Sequence, residues 1–408
     1  MNNIFYIDQI IINKNHIEYG YHVEGDLAEV FNMEQKFFCE YSEDVSNVPE
    51  SIAVIPLIAN ILPIIWIYDS ELYIEECDRT FVKSIETIKR GYCKMYPMID
   101  FGGRVIVNQI TDNFRPKSNK TLSYFSGGVD SYNTIINHHL ENPVLFTAWG
   151  SDVFFDDYEG WNNMLKSVST ASQIFNSPCV NVKSSFRMFI NYTVLDKKVK
   201  KSADNWWHGF QHGIGLLSLC APISYKYNIG VIYFASTYSE KNKGSYTCAS
   251  DPTIDNYFAF ANTVAIHDGY KLSRLQKIEN IVNYSNQNNV LIPLRVCWES
   301  KGGKNCCSCE KCWRTIFELY AIGAKPEKHG FIFTKNQLMN TRFLYYKMND
   351  FPTYTMEFYR ESKNEIKQSK RALNIPFGIK WMYYTDVEKY CIKPFWYKVL
   401  KKIKKLLK

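Results

Sequence analysis

No uninterrupted apolar run long enough for a comfortable membrane helix occurs in this 408-residue chain. The longest, residues 52–68, has 17 residues, the lower limit for spanning a bilayer, and Pro56, Asn60 and Pro63 interrupt it. Those three would free backbone groups that lipid cannot satisfy. The run therefore reads as a buried strand–turn–strand or strand–helix segment. Charge is modest: 22% of residues are Asp, Glu, Lys or Arg, against 46% hydrophobic. That balance excludes a mainly disordered, collagenous or fibrous chain. A broad basic face is also missing. The net charge of +7 equals the seven Lys between 393 and 408, where no acid occurs, so the rest of the chain is neutral in sum. A nucleic-acid-binding body spreads its excess charge over a face of the fold, which disfavours nucleic acid as a partner. The first residues, Met-Asn-Asn-Ile-Phe-Tyr-Ile-Asp, lack the basic stretch and small-residue cleavage site of a signal peptide. A cytoplasmic setting with reduced thiols is the expectation, despite an even count of twelve Cys.

The length suggests roughly two to three domains. Residues 1–115 show short alternating β-type runs at 3–12 and 16–22, then the apolar stretch, then an amphipathic helix over 78–89. Asp78 stands at the N-cap of that helix, with Phe81, Ile85 and Ile88 at helical spacing. This reads as an N-terminal α+β module, followed by a polar linker over 111–120. From 120 to 330 strands alternate with helices. Expected strands are 121–125, 143–148, 179–183, 230–235 and 290–294, and expected helices 128–140, 161–175, 207–227 and 272–285. The fold class is thus α/β, with a parallel sheet covered on both faces and a ligand site at the carboxyl ends of its strands. Residues 331–392 form an aromatic C-terminal extension without a repeat, and no internal duplication is evident.

The first chemical signal is the loop Ser126-Gly127-Gly128-Val129-Asp130-Ser131 between an expected strand and helix. Two Gly allow a sharp turn and close approach to an anion, because neither has a Cβ. The following helix presents free N–H groups and the positive end of its dipole. Ser126 and Ser131 add hydroxyl donors, while Asp130 can orient the loop or hold Mg²⁺. No G-x-x-x-x-G-K-[ST] motif occurs, which argues against a P-loop ATPase cleaving at the γ-phosphate.

The second signal is a cysteine cluster. Cys297, Cys306, Cys307, Cys309 and Cys312 fall within 16 residues, where the average of 12 in 408 would place about half of one. The spacing Cys297-x8-Cys306-x2-Cys309-x2-Cys312 offers four thiolates to a tetrahedral zinc ion, with Gly302 and Gly303 supplying the bend. Cys307 is spare, although it could replace Cys306. Four sulfurs leave no open coordination position, so the expected role is structural, with an iron–sulfur cluster as the main rival.

Together, the loop and the C-x8-C-x2-C-x2-C cluster resemble the PP-loop ATP-pyrophosphatase superfamily, and within it the 7-cyano-7-deazaguanine synthase family. The likeness runs from about 121 to 323, with a second anchor over 295–314. It implies a Rossmann-like PP-loop domain with a C-terminal zinc knuckle, ATP and Mg²⁺ as cofactors, one structural Zn²⁺, and an enzyme that adenylates a substrate carboxylate. Ser126, Gly127, Gly128, Asp130 and Ser131 would bind ATP and its pyrophosphate, with Asp130 and Ser131 in the catalytic roles. The activated carbon would then meet a nitrogen donor, as in an amide- or nitrile-forming ligase. Asp251, His267 and Asp268 flank the segment to which the resemblance assigns the substrate. The chain departs from the family's plain pattern by its long additions at both ends, which leaves the small-molecule substrate open. A sugar amidotransferase of surface-polysaccharide synthesis and a non-catalytic ATP-sensing scaffold are the alternatives.

Other features are weaker. Gly150-Ser151-Asp152 and Ser236-Thr237 follow expected strands at the productive edge. His208 and His212 stand at i, i+4 without an acid at ligand spacing, which favours a packed or site-lining pair over a metal pair. Residues 183–201 are Lys-rich and read as a solvated face. In the tail, 393–408, Phe395, Val399, Ile403 and Leu407 repeat at helical spacing among Lys, the pattern of a basic amphipathic helix capable of peripheral membrane contact.

Overall fold

The computed structural model describes residues 3–297, 299–341, 344 and 353–385. Their strands are β1 (Ile4–Asn13), β2 (His16–Glu24), β3 (Phe38–Tyr41), β4 (Glu71–Asp78), β5 (Arg104–Thr111), β6 (Thr121–Tyr124), β7 (Val144–Trp149), β8 (Cys179–Ser184), β9 (Val231–Ala235), β10 (Ala259–Phe260) and β11 (Thr263–Asp268). All join one mixed sheet in the order β10-β11-β9-β6-β7-β8-β3-β2-β1-β4-β5. Neighbours from β11 through β8 run parallel. Beyond β8, β3, β2 and β1 pair antiparallel, and β4 and β5 return to parallel. The strands of residues 1–115 therefore extend the same sheet through the β3–β8 pairing.

The helices used below are α1 (Glu50–Ala53), α2 (Ile55–Ile67), α3 (Arg79–Met95), α4 (Val129–His138), α5 (Tyr158–Phe175), α6 (Tyr192–Val199), α7 (Ile214–Leu217), α8 (Ala221–Tyr227), α9 (Pro252–Asp255), α10 (Arg274–Asn288) and α11 (Glu310–Ala321). Alternate residues of the central strands feed opposite layers, as the pleat requires. Val144 and Phe146 of β7 pack with α2 and α3 on one face. Leu145 packs with α4, α5, α10 and α11 on the other. The caps follow local sequence: Asp78 accepts from Phe81 N at 2.9 Å, and Asp157 accepts from Gly160 N at 2.8 Å.

Three expectations are corrected. The run 52–68 is mostly the buried helix α2, with Pro63 inside it. An element buried on every side has no amphipathic period to betray its type. Segment 290–294 is not a strand; Leu294 and Arg295 donate their N–H groups to His329 and Gly127 in loops. The outer parallel strand is instead β11. The expected helix 207–227 is broken into a π-helical turn at Trp207–Gln211, α7, a short 3₁₀ turn and α8. Among the described residues no helix is long and apolar enough to cross a membrane. The basic stretch 393–408 lies outside the described residues.

Candidate phosphate loop and cysteine centre

Numbered in chain order, β6, β7, β8, β9 and β11 are arranged 3-2-1-4-5, so the winding reverses between β6 and β9. Ligands of open α/β sheets bind at such a reversal, beyond the carboxyl ends of the strands. A cavity of about 290 Å³ opens there, lined by the segments that leave β6, β7 and β9.

The loop after β6 turns at Gly127, whose φ of +73° favours glycine, and a Cβ there would stand 2.7 Å from Ser167 Oγ. Gly128 caps α4, so the helix N-terminus faces the cavity. Ser131 Oγ closes the turn, accepting from Ser126 N at 3.3 Å and donating to the Gly128 carbonyl at 3.1 Å. Asp130 is gripped by two cations of α10: Lys277 Nζ at 3.0 Å and Arg274 at 3.7 Å. Burial alone would raise its pKa, but Lys277 and Arg274 hold the carboxyl below its ordinary range. Arg274 also reaches Glu318 at 3.1 Å and Thr315 at 3.0 Å, which couples the loop to α11. Of the two roles available to Asp130, this geometry suits orientation of the loop. Asp152, on the segment after β7, is the other carboxylate lining the cavity. Arg295 and Lys311 add positive charge to the same walls, and burial depresses the pKa of each.

Behind this wall the sulfurs of Cys297, Cys306, Cys309 and Cys312 converge within 4.8 Å of one another. Cys297 and Cys309 lie 3.8 Å apart, and Cys306 and Cys312 3.9 Å apart. A tetrahedron of ~2.3 Å zinc–sulfur bonds has edges of about 3.8 Å, so the set could hold a metal such as zinc. Cys306 Sγ also accepts from the N–H groups of Ser308 and Cys309, which suits a thiolate ligand in a knuckle turn. Cys307 stands outside the set, its φ of +47° marking the turn. Gly302 and Gly303 make the expected bend, both at positive φ. Asn305 fastens it, accepting from Val296 N and Cys297 N and donating to the carbonyls of Leu294 and Gly330.

Arg295 joins the two features. Its N–H donates to the Gly127 carbonyl at 2.7 Å, its Nε to Gly303 at 3.2 Å, and a terminal nitrogen to Ser126 at 3.4 Å. The cysteine centre thus fixes a residue that braces the glycine loop.

The other candidates separate cleanly. Ser151, Asp152 and Thr237 line the cavity, and Arg187 holds the Ser151 carbonyl at 2.9 Å. Asp251, His267 and Asp268 do not line it. Asp251 caps α9 through Thr253 at 2.8 Å. His267 is buried against Asp255 at 2.8 Å, and Asp268 accepts from Thr134 at 2.7 Å and contacts His138 at 3.1 Å.

His208 and His212 both line the cavity, and with them Cys248. Cys248 Sγ lies 3.7 Å from His212 Nδ1. His208 Nδ1 contacts Asp204 at 3.1 Å, and its Nε2 meets Tyr238 Oη at 3.0 Å. Burial pushes the Cys248 thiol up, yet hydrogen bonding with His208 and His212 lowers it to about 6. Burial likewise opposes charge on His208, while Asp204 and Cys248 raise it to about 10. Sequence singled out the His208–His212 pair by its spacing but gave no sign of Cys248 beside it, or of Lys277 and Arg274 beside Asp130, because partners dozens of residues apart leave no spacing to read. Arg295 stands two residues before Cys297, at the start of the second anchor of the resemblance, but its bracing role had no sequence signal.

Comparison of the chain with protein-family models, with curated proteins and with solved structures gives no match.

Proposed function

We propose that the chain is an ATP-dependent, AMP-forming enzyme that adenylates a small-molecule carboxylate or carbonyl and passes the activated carbon to a nitrogen donor. The carrying observation is the placement of Ser126–Ser131. A strand–glycine–helix loop stands at the sheet reversal, inside a cavity with Arg274, Arg295 and Lys311 in its walls. That combination supports a Rossmann-like PP-loop reading of the fold.

In this reading the loop N–H groups and the α4 N-terminus hold the leaving pyrophosphate. Arg295 and Lys311 neutralise its charge, and Lys277 and Arg274 keep Asp130 ionised and the loop shaped. Positioning and charge compensation carry most of such a phosphoryl-centre displacement. Mg²⁺, when bound with the nucleotide, supplies further charge neutralisation, and Asp152 is the residue that would hold it. Cys297, Cys306, Cys309 and Cys312 would hold a structural zinc ion, which would fix the segment that carries Arg295.

Exchange of labelled pyrophosphate into ATP, in the presence of Mg²⁺ and a host metabolite extract, tests the reading. The wild type should exchange, and Gly127→Val should lose at least ten-fold, because its side chain would collide with Ser167 Oγ and strain φ. Absence of exchange alongside tight ATP binding would favour the sensing scaffold instead.

A further inference from the structure

The cluster at Cys248 is built rather than incidental. Gly213 breaks the helix after His212, and a Cβ there would stand 2.2 Å from the Ala249 carbonyl, so only glycine lets the Cys248 segment approach so closely. Ala249 N donates to the His208 carbonyl at 2.8 Å, a second tie across the same gap. The π-helical turn that carries His208 is braced from α3, with Tyr92 donating to the Phe210 carbonyl at 2.6 Å and Tyr96 donating to Gly209. π-Turns of this kind concentrate at functional sites. Tyr238 stacks on Tyr246 at 3.6 Å beside His208 and closes the far wall. Cys248 is 1% exposed overall, yet it lines the cavity shared with Ser126, Asp130 and Ser131.

A thiol beside two imidazoles, one of them anchored by a carboxylate, is the arrangement of an activated nucleophile. We infer that Cys248 takes the acyl group from the adenylate and holds it as a thioester until the nitrogen donor arrives. The inference rests on the adenylation reading above and names its second half-reaction. The thiolate attacks the acyl carbon; a C–S bond forms, the C–O bond to AMP breaks, and AMP leaves with the electron pair. An amine then attacks the thioester; a C–N bond forms, the C–S bond breaks, sulfur leaves as thiolate, and the amine's proton passes to His212. No oxidant or reductant is needed. His208, held by Asp204, is a positioning residue whose positive charge keeps the sulfur ionised.

The test uses the full chain in its zinc-loaded form and acetyl adenylate as the probe, which bypasses ATP activation. The expected result is an acetyl adduct on the Cys248 peptide, released by neutral hydroxylamine and absent from Cys248→Ala. Alkylation of Cys248 by iodoacetamide should show a pH midpoint of about 6. His208→Gln should move that midpoint upward by at least about one unit, toward the ordinary thiol value near 8.5. The titratable groups that face the sulfur are His208 and His212, with the Tyr92, Tyr96 and Tyr246 hydroxyls beyond them, and all are retained in the wild-type profile. An adduct missing from Cys248, or one that forms while Cys248→Ala keeps full product turnover, overturns the thioester. So does an alkylation midpoint at the ordinary thiol value. Because the probe is already activated, failure of ATP to yield AMP would strike the adenylation reading and leave this result interpretable by itself.

Discussion

Replacing Asp130 with Asn is the sharpest perturbation of the glycine loop. The carboxylate faces Lys277 at 3.0 Å and Arg274 at 3.7 Å, and the side chains of these cations are 2% and 4% exposed. Removing one partner of a buried pair costs about 3–5 kcal/mol, because the other charge stays buried without compensation. Asp130 itself keeps 19% exposure, and Arg274 retains Glu318 and Thr315, so the loss falls to the foot of that range and below it. We expect a loss of about 2–3 kcal/mol, read as a fall in the urea midpoint at unchanged slope. The double variant Asp130→Asn/Lys277→Met should recover at least about 1 kcal/mol of it, since the orphaned cation is gone. The sign with pH is set by the depressed pKa of Asp130. Its contribution is present above the ordinary carboxylate value and fades as pH falls through the folded one, so wild type and variant should converge in acid. A loss below about 0.5 kcal/mol, or strictly additive losses in the double variant, would refute the ion-pair account.

Three further outcomes follow from the same geometry. Metal analysis should find one zinc per chain, lost in Cys306→Ser and kept in Cys307→Ser; chelation should raise hydrogen exchange at 295–312 and weaken ATP binding through Arg295. Burial pushes Glu318 up to about 7 against the pull of Arg274 and Arg314. Its folded pKa lies above the unfolded one, so stability should fall as pH rises through that interval, and Glu318→Gln should flatten the slope in urea melts between pH 5 and about 7. Gly213→Ala drives a methyl group into the Ala249 carbonyl and should cost about 1–3 kcal/mol while slowing Cys248 alkylation.

What the sequence disclosed was local. The glycine loop at 126–131 and the spacing of Cys297, Cys306, Cys309 and Cys312 are short-range patterns, and each stands in the structure as a loop and a converging sulfur set. Boundaries fixed by caps were also readable, as at Asp78. Elements buried all round were not. The helix α2 is such an element; the coil at 290–294 is an apolar run too short to show a period, with Ile292 and Leu294 buried and Leu291 exposed, and its hydrogen-bond partners are what set it apart from a strand. β11 alternates buried and exposed residues over six positions, too short to stand out beside its polar neighbours. Its His267 and Asp268 were given a site role by the resemblance alone; in the structure they are engaged by Asp255, Thr134 and His138. The cations around Asp130 and the imidazoles around Cys248 come from segments far apart in the chain, so only the folded topology reveals them.

The most direct test of the central claim is product analysis of ATP labelled at the α-phosphate, with Mg²⁺, ammonium and a host metabolite extract. Labelled AMP, with pyrophosphate released in equal amount and dependent on the extract, is the predicted result. Labelled ADP with orthophosphate would contradict the account.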